Sequence, residues 1–445
     1  MQPPYIYMHS VRNIVASIFT IITSFSVAQV PVFQVPSAPI PGGYRPAGLR
    51  NPTETLQGSG NAQAKSADQE IRRHQKEILD RQAQLEEIEA TFASVHIDYE
   101  FPENDNPGTE RYHDALAYFG KVLKGDAPMS LEKAVFTVER AFDPSLSYEE
   151  FSRQLSDAVS IIGLQMQRDK IPATDNLGKI LTAFRFMTDT LRVRSKQAEQ
   201  VFTSFPKIYD FDDFWGRQDY RKMFVSKLMR EGTGQCHSLP LYFLLLCERM
   251  KAEAYLAFAP NHSFIKFQDN RGHWHNMELT NGILASDHFM VQTGYIKAEA
   301  IQNNLYLQPL TKKQTIVQCL NDLTSGYIKQ FGYDQFVRTS TTLAFDNEKN
   351  SLSAHQMLVN YFTALDNFVR YQYKQKKLSK EFYRNDEKAR AISSAVNGGN
   401  KFIENLGFAD MPQEAYEAWL RSAQTEAARR QHQKELKVLG SLIKR

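Results

Sequence analysis

The run S-L-P-L-Y-F-L-L-L-C from Ser238 to Cys247 constrains this chain more than any other stretch. A helix that is apolar on every face must be surrounded by protein, so other elements have to pack on all its sides. Pro240 fits such a helix only in its first turn, where missing N–H groups cost little. That sets the helix start near Cys236, directly after G-T-G-Q. A thiol there sits at a helix N-terminus, where free N–H groups and the macrodipole favour the thiolate.

The segment after this helix reads A-Y-L-A-F-A-P-N-H-S-F-I-K-F-Q, then D-N-R-G, then H-W-H-N-M-E-L-T-N-G. This is strand, strand, turn, strand. A three-residue loop closed by Gly272 in a left-handed conformation makes the numbers of paired residues sum to an even value. His262 then shares a sheet face with Asn276, Glu278 and Thr280.

The flanks are helical. Leu131, Ala134, Val135, Val138, Ala141 and Phe142 follow helical spacing after Ser130, and Ser147 with Glu150 forms a capping box before Phe151, Leu155, Ala158, Val159 and Ile162. Earlier, Ile71, Ile78, Leu85 and Phe92 recur every seven residues. The expectation is an amphipathic helix over 66–94 that packs on the protein's own body, because His74 and Arg81 interrupt the second stripe of a coiled coil. Beyond residue 300 the spacing of Leu320, Leu323, Gly326, Tyr327 and Phe336 has the texture of a degenerate tetratricopeptide repeat. The last twenty residues form a basic amphipathic pattern suited to docking on the body.

At the other end, a 14-residue apolar run from Ile14 to Val27 follows Arg12 and ends at Ala28. As a helix it rises only about 21 Å, short for a bilayer span, so 1–28 reads as a cleaved secretory signal peptide. Residues 29–65, rich in Pro, Gly, Gln and Ser, read as a disordered linker. The remaining divisions are 66–94, a helical domain over 95–204, a core over 205–300 and a helical region over 301–445. The fold class is α+β: a mainly helical chain around a buried helix and a small antiparallel sheet.

With 53 Lys and Arg against 50 Asp and Glu, the chain has no extended basic field for nucleic acid. Its three cysteines, Cys236, Cys247 and Cys319, are too few for a disulfide framework. His237, His273, His275 and His288 lack metal-ligand spacing, so neither metal nor other cofactor is expected.

Cysteine at a helix N-terminus, histidine on the next strand and a carboxylate or amide on the strand after are the parts of thiol acyl-transfer chemistry. In these motifs the segment resembles the transglutaminase-like superfamily, in particular its SirB-type branch. That branch has a G-x-C-x-S-L-P-like helix start, a P-x-H-x-F strand, and an acid followed by Thr and Gly. The resemblance implies a papain-type fold with Cys236 as nucleophile, His262 as general base and Glu278 as orienting acid. Asn276 is the alternative orienting residue, because most such sites carry Asp where this chain has Glu278. The implied activity is acyl transfer from a protein or peptide substrate to water or an amine. The backbone N–H of Cys236 would donate to the oxyanion, with Gln235 and Tyr220 as candidates for the second donor. The alternative function is a non-catalytic envelope scaffold that binds a protein partner through its helical regions. The signal-like segment points to an exported bacterial protein, in the periplasm, the envelope or the medium, without a transmembrane domain after cleavage.

Overall fold

The structure is a computed structural model that describes residues 96–194 and 201–409 continuously, 69–83 apart from 71, and 411, 414–418, 420–422, 424–426, 428, 429 and 433. The signal peptide and linker expectations lie outside the described residues, as does most of the C-terminal basic pattern. Two compact units are defined: residues 1–98 with 373–382, and residues 99–372 with 383–445. In the first, residues 72–83 are helical, but Ile78 and Leu79 are 57% and 63% exposed. The expected burial of that stripe is not met there.

The second unit contains the buried helix and everything that positions it. Four helices come first: α1 (Thr109–Lys124), α2 (Leu131–Phe142), α3 (Tyr148–Arg168) and α4 (Asn176–Thr188). The Ser130 and Ser147 hydroxyls accept from the Lys133 and Glu150 amides, so both serines cap their helices, but the Ser147 box is only half formed because the Glu150 carboxylate accepts from Arg153 and Gln154. An antiparallel pair, β1 (Leu191–Arg194) with β2 (Val201–Ser204), follows. Then β3 (Ile208–Tyr209) lies parallel to β4 (Thr233–Gly234), with α5 (Val225–Glu231) between them in sequence.

Next is α6 (Ser238–Met250), in which every residue from Ser238 to Cys247 is buried. It packs against α2, α3, α4 and α5 and against two strands of the main sheet, which is why its sequence has no polar face. Its five buried leucines, Leu239, Leu241, Leu244, Leu245 and Leu246, each contribute roughly 1.5–3 kcal/mol of transfer free energy. Pro240 falls in the first turn, as required. At the other end of α6, the Glu248 carboxylate accepts from the Leu131 and Glu132 amides, both at 3.0 Å, and so caps α2. Arg249 makes a two-pronged contact at 2.7 Å with Glu132.

The main sheet is antiparallel in the order β5 (Tyr255–Ala259), β6 (His262–Gln268), β7 (Trp274–Glu278), β8 (Ile283–Ala285). The even-sum register is present: Ile265 pairs with Met277 and Gln268 with Trp274. Gly272 has φ +81° and its N–H donates to the Asp269 carbonyl, closing the expected loop. Short helices α7 (Asp287–Gly294) and α8 (Ala298–Gln302) follow, and Met290, Ile296 and Ala300 bury against Ala257, Ala259 and Phe264 of the sheet.

The chain then returns to helices: α9 (Lys312–Phe331), α10 (Gln335–Asn347), α11 (Leu352–Gln375), α12 (Lys380–Asn385) and α13 (Glu387–Asn405). Leu320, Leu323, Gly326 and Tyr327 lie on the buried face of α9, and the Tyr327 ring stacks on Phe336 of α10 at 4.1 Å. These helices run to 20, 13, 24, 6 and 19 residues, so the helix-turn-helix texture belongs to one pair and not to a regular array. α9 packs on α1 and α2, which brings segments read separately in the sequence into one unit. Among the described residues no helix is long and apolar enough to cross a membrane.

Candidate active site

Gly232 and Gly234 set the position of Cys236. Gly232, at φ +74°, ends α5 in a left-handed conformation, and its successor enters β4. A Cβ on Gly234 would come within 2.7 Å of the Ser238 hydroxyl and 3.1 Å of the Leu228 side chain. Only glycine allows that approach, and it lets the Ser238 Oγ accept from the Gln235 amide at 2.9 Å. Cys236 thus lies two residues before the first residue of α6. Its carbonyl accepts from the Ser263 hydroxyl at 2.6 Å, which ties the thiol-bearing turn to strand β6.

His262 opens β6. Its Nε2 lies 2.5 Å from the Oε2 of Glu278, while Oε1 of Glu278 accepts from the Thr280 amide at 2.8 Å. The imidazole also lies beside the Cys236 thiol, and the two shift each other's titration. Because Nε2 faces Glu278, Nδ1 is the ring atom left for the sulfur. The structure therefore brings Cys236, His262 and Glu278 into one row, with the His262–Glu278 contact as its hydrogen bond.

Asn276 does not join that row. It pairs with Lys266 across the sheet, and its amide donates at 2.7 Å to Asp287, which Lys266 also contacts at 3.0 Å. Sharing a face with His262 was not sufficient. Glu278 is a diagonal neighbour of the imidazole, and its longer side chain covers that gap.

Charge in this row is strongly biased. Burial alone would raise the Cys236 thiol, but the hydrogen bond and positive charge of His262, aided by His237, pull it below its ordinary value. Burial likewise disfavours the His262 cation, yet Glu278 and the thiol more than offset this, and its pKa rises to about 10. Glu278 stays ionised because the imidazole and the Thr280 amide outweigh its burial. Both shifts run toward a thiolate beside an imidazolium. Cys247 and Cys319 are buried, and burial pushes both thiols up. They are the inert pair.

A cavity of about 770 Å³ opens on Cys236, His237, His262 and Ser263. One wall is a polar stripe of α9, formed by Gln314, Gln318, Asp322, Ser325 and Lys329 at steps of three and four residues. Asp322 lies 3.3 Å from the Nε2 of His237, and with burial opposing, this carboxylate raises the His237 pKa to about 8. A second cation is thereby held beside the thiol. The rings of Phe214, Trp215 and Tyr416 also line it, with Trp215 and Tyr416 stacked at 4.9 Å.

The two candidates for a second oxyanion donor do not reach the sulfur. The Gln235 side chain is fully buried and its Nε2 donates to the Asp210 carbonyl at 2.9 Å. The Tyr220 hydroxyl lines the cavity but donates to the Asp322 carbonyl at 3.4 Å. Two other phenols, those of Tyr209 and Tyr416, converge on Cys236 instead. No local pattern marks either one. Tyr209 is placed by the parallel pairing of β3 with Gly234, and Tyr416 comes from a C-terminal helix.

His273 and His275 both contact Asp269 in the hairpin loop, at 3.3 and 3.1 Å. Among the described residues no group of three His, Cys, Asp or Glu is arranged to hold a metal ion. No family model, curated protein or solved structure matches the chain.

Proposed function

We propose that this protein is a cysteine-dependent acyl-transfer enzyme of transglutaminase-like type. Cys236 attacks an acyl carbon, His262 returns a proton to the leaving group, and Glu278 holds the imidazole in place. One observation carries the reading: of three cysteines, the one on the cavity is the one beside a carboxylate-paired histidine.

The substrate we propose is a polypeptide. Gln314, Gln318, Asn350 and Gln356 line the cavity with amides that match peptide groups in both donors and acceptors. Water as acceptor makes the activity that of a peptidase or amidase, and an amine makes it that of a transglutaminase. The short apolar run after Arg12 supports export, with the enzyme acting in a bacterial envelope or outside it.

Acylation by an activated ester tests this reading. The purified chain is mixed with p-nitrophenyl acetate, and the acyl group is located by mass spectrometry. The expected result is a stoichiometric burst with acetyl on Cys236, lost in Cys236→Ala and strongly slowed in His262→Ala. Equal ester turnover by Cys236→Ala would favour a binding scaffold in place of an enzyme.

A further inference from the structure

Resting on the acyl-transfer reading, we propose that Tyr416 is the second oxyanion donor, so that the C-terminal segment completes the active site. The position of Tyr416 is the first support. It lines the main cavity together with Cys236, and it lines a smaller one together with His262. Its phenol lies beside the Cys236 thiol, with Tyr209 next to both.

That position is held firmly. The Tyr416 ring stacks on Trp215 with an interplanar angle of 27° and packs near Phe214 at 5.8 Å. The residue is 3% exposed, and Leu420, four residues later, is 5% exposed. A preorganised donor of this kind loses little on meeting a developing charge. Burial and the neighbouring thiol push both phenols above their ordinary range, so both keep their protons across the working pH range.

The chemistry requires a donor here. When the thiolate attacks, a C–S bond forms and the carbonyl π pair moves onto oxygen. The oxyanion is one carbon away from the sulfur, so a phenol beside the thiol needs only a small swing to reach it. On collapse the pair re-forms the carbonyl, the bond to the leaving group breaks, and His262 gives that group its proton. Tyr416 supplies a hydrogen bond throughout and no proton. Cys236 is still partly exposed with Tyr416 in place, so the phenol is a wall of the site and not a plug.

Alkylation and acylation separate this role from a structural one, because iodoacetamide reacts by displacement and forms no oxyanion. Both rate constants are measured on Cys236 in the full chain, above the thiol titration, for wild type and Tyr416→Phe. The phenyl ring keeps the stack on Trp215, and retained alkylation doubles as the folding control. The inference expects acetylation by p-nitrophenyl acetate to fall about 100-fold with alkylation within a few-fold of wild type, and Tyr416→His to recover part of the loss. If both rates fall or rise by the same factor, or neither changes, the inference is overturned and the acyl-transfer reading stands. A wild-type Cys236 that neither alkylates selectively nor acetylates sinks the reading and the inference together.

Discussion

His262 and Glu278 meet through a 2.5 Å contact between Nε2 and Oε2, with both side chains almost fully buried. A carboxylate this close in a low-dielectric setting fixes which ring nitrogen faces the sulfur and stabilises the imidazolium. The downward shift of the Cys236 thiol depends on that relationship and not on the helix end alone.

Glu278→Gln keeps the shape of this contact and removes its charge. Acetylation of Cys236 should drop by up to about 10⁴-fold, the loss when the orienting carboxylate of a triad becomes an amide. Its stability signature has a definite sign. The raised His262 pKa contributes stability that is complete below about pH 6.5 and lost as pH rises through about 10. The depressed Glu278 pKa contributes stability that is present above about 4.5 and lost as pH falls through its folded value. Denaturant titrations should therefore show the largest difference between wild type and Glu278→Gln between these limits, narrowing on both sides. A difference independent of pH would mean that the pair is not ionised.

Asp322→Asn tests the second cation. His237 should lose its charge at a lower pH than the present value of about 8, and the thiol should titrate higher as a result. Alkylation of Cys236 near neutral pH should slow, while the plateau rate at high pH is kept. Imidazole titration by NMR reports the His237 shift directly, and an unmoved His237 would detach Asp322 from the site.

Two glycine substitutions should have opposite signs. Gly234→Ala forces a methyl against Ser238 and Leu228 and should destabilise by roughly 1–3 kcal/mol, displacing the Cys236 turn and slowing acylation. Gly163→Ala, in the middle of α3 with nothing within 4 Å of the new carbon, should stabilise by roughly 0.5–1 kcal/mol. Thermal melts decide both. A neutral Gly234→Ala would show that the close approach can relax.

Local rules in the sequence carried far where the physics was local. The caps at Ser130 and Ser147, the burial of Ser238 to Cys247 and the register set by Gly272 all follow from spacing, and each is present. Spacing could place Asn276 and Glu278 on the His262 face but could not choose between them. That choice depended on Lys266 and Asp287, which hold the Asn276 amide elsewhere. Tyr209 and Tyr416 come beside the thiol from a two-residue parallel strand and a C-terminal helix, and Asp322 reaches its neighbour His237 from a helix of the later region. Pairings over such separations leave no periodic trace in one sequence.

The most direct measurement is the pH dependence of iodoacetamide labelling at each cysteine, in wild type and in His262→Ala. The account expects Cys236 to label fastest, to titrate well below the roughly 8.5 of a free thiol, and to lose both advantages without His262. Labelling of Cys236 no faster than that of Cys247 or Cys319, unchanged by the His262 substitution, would contradict it.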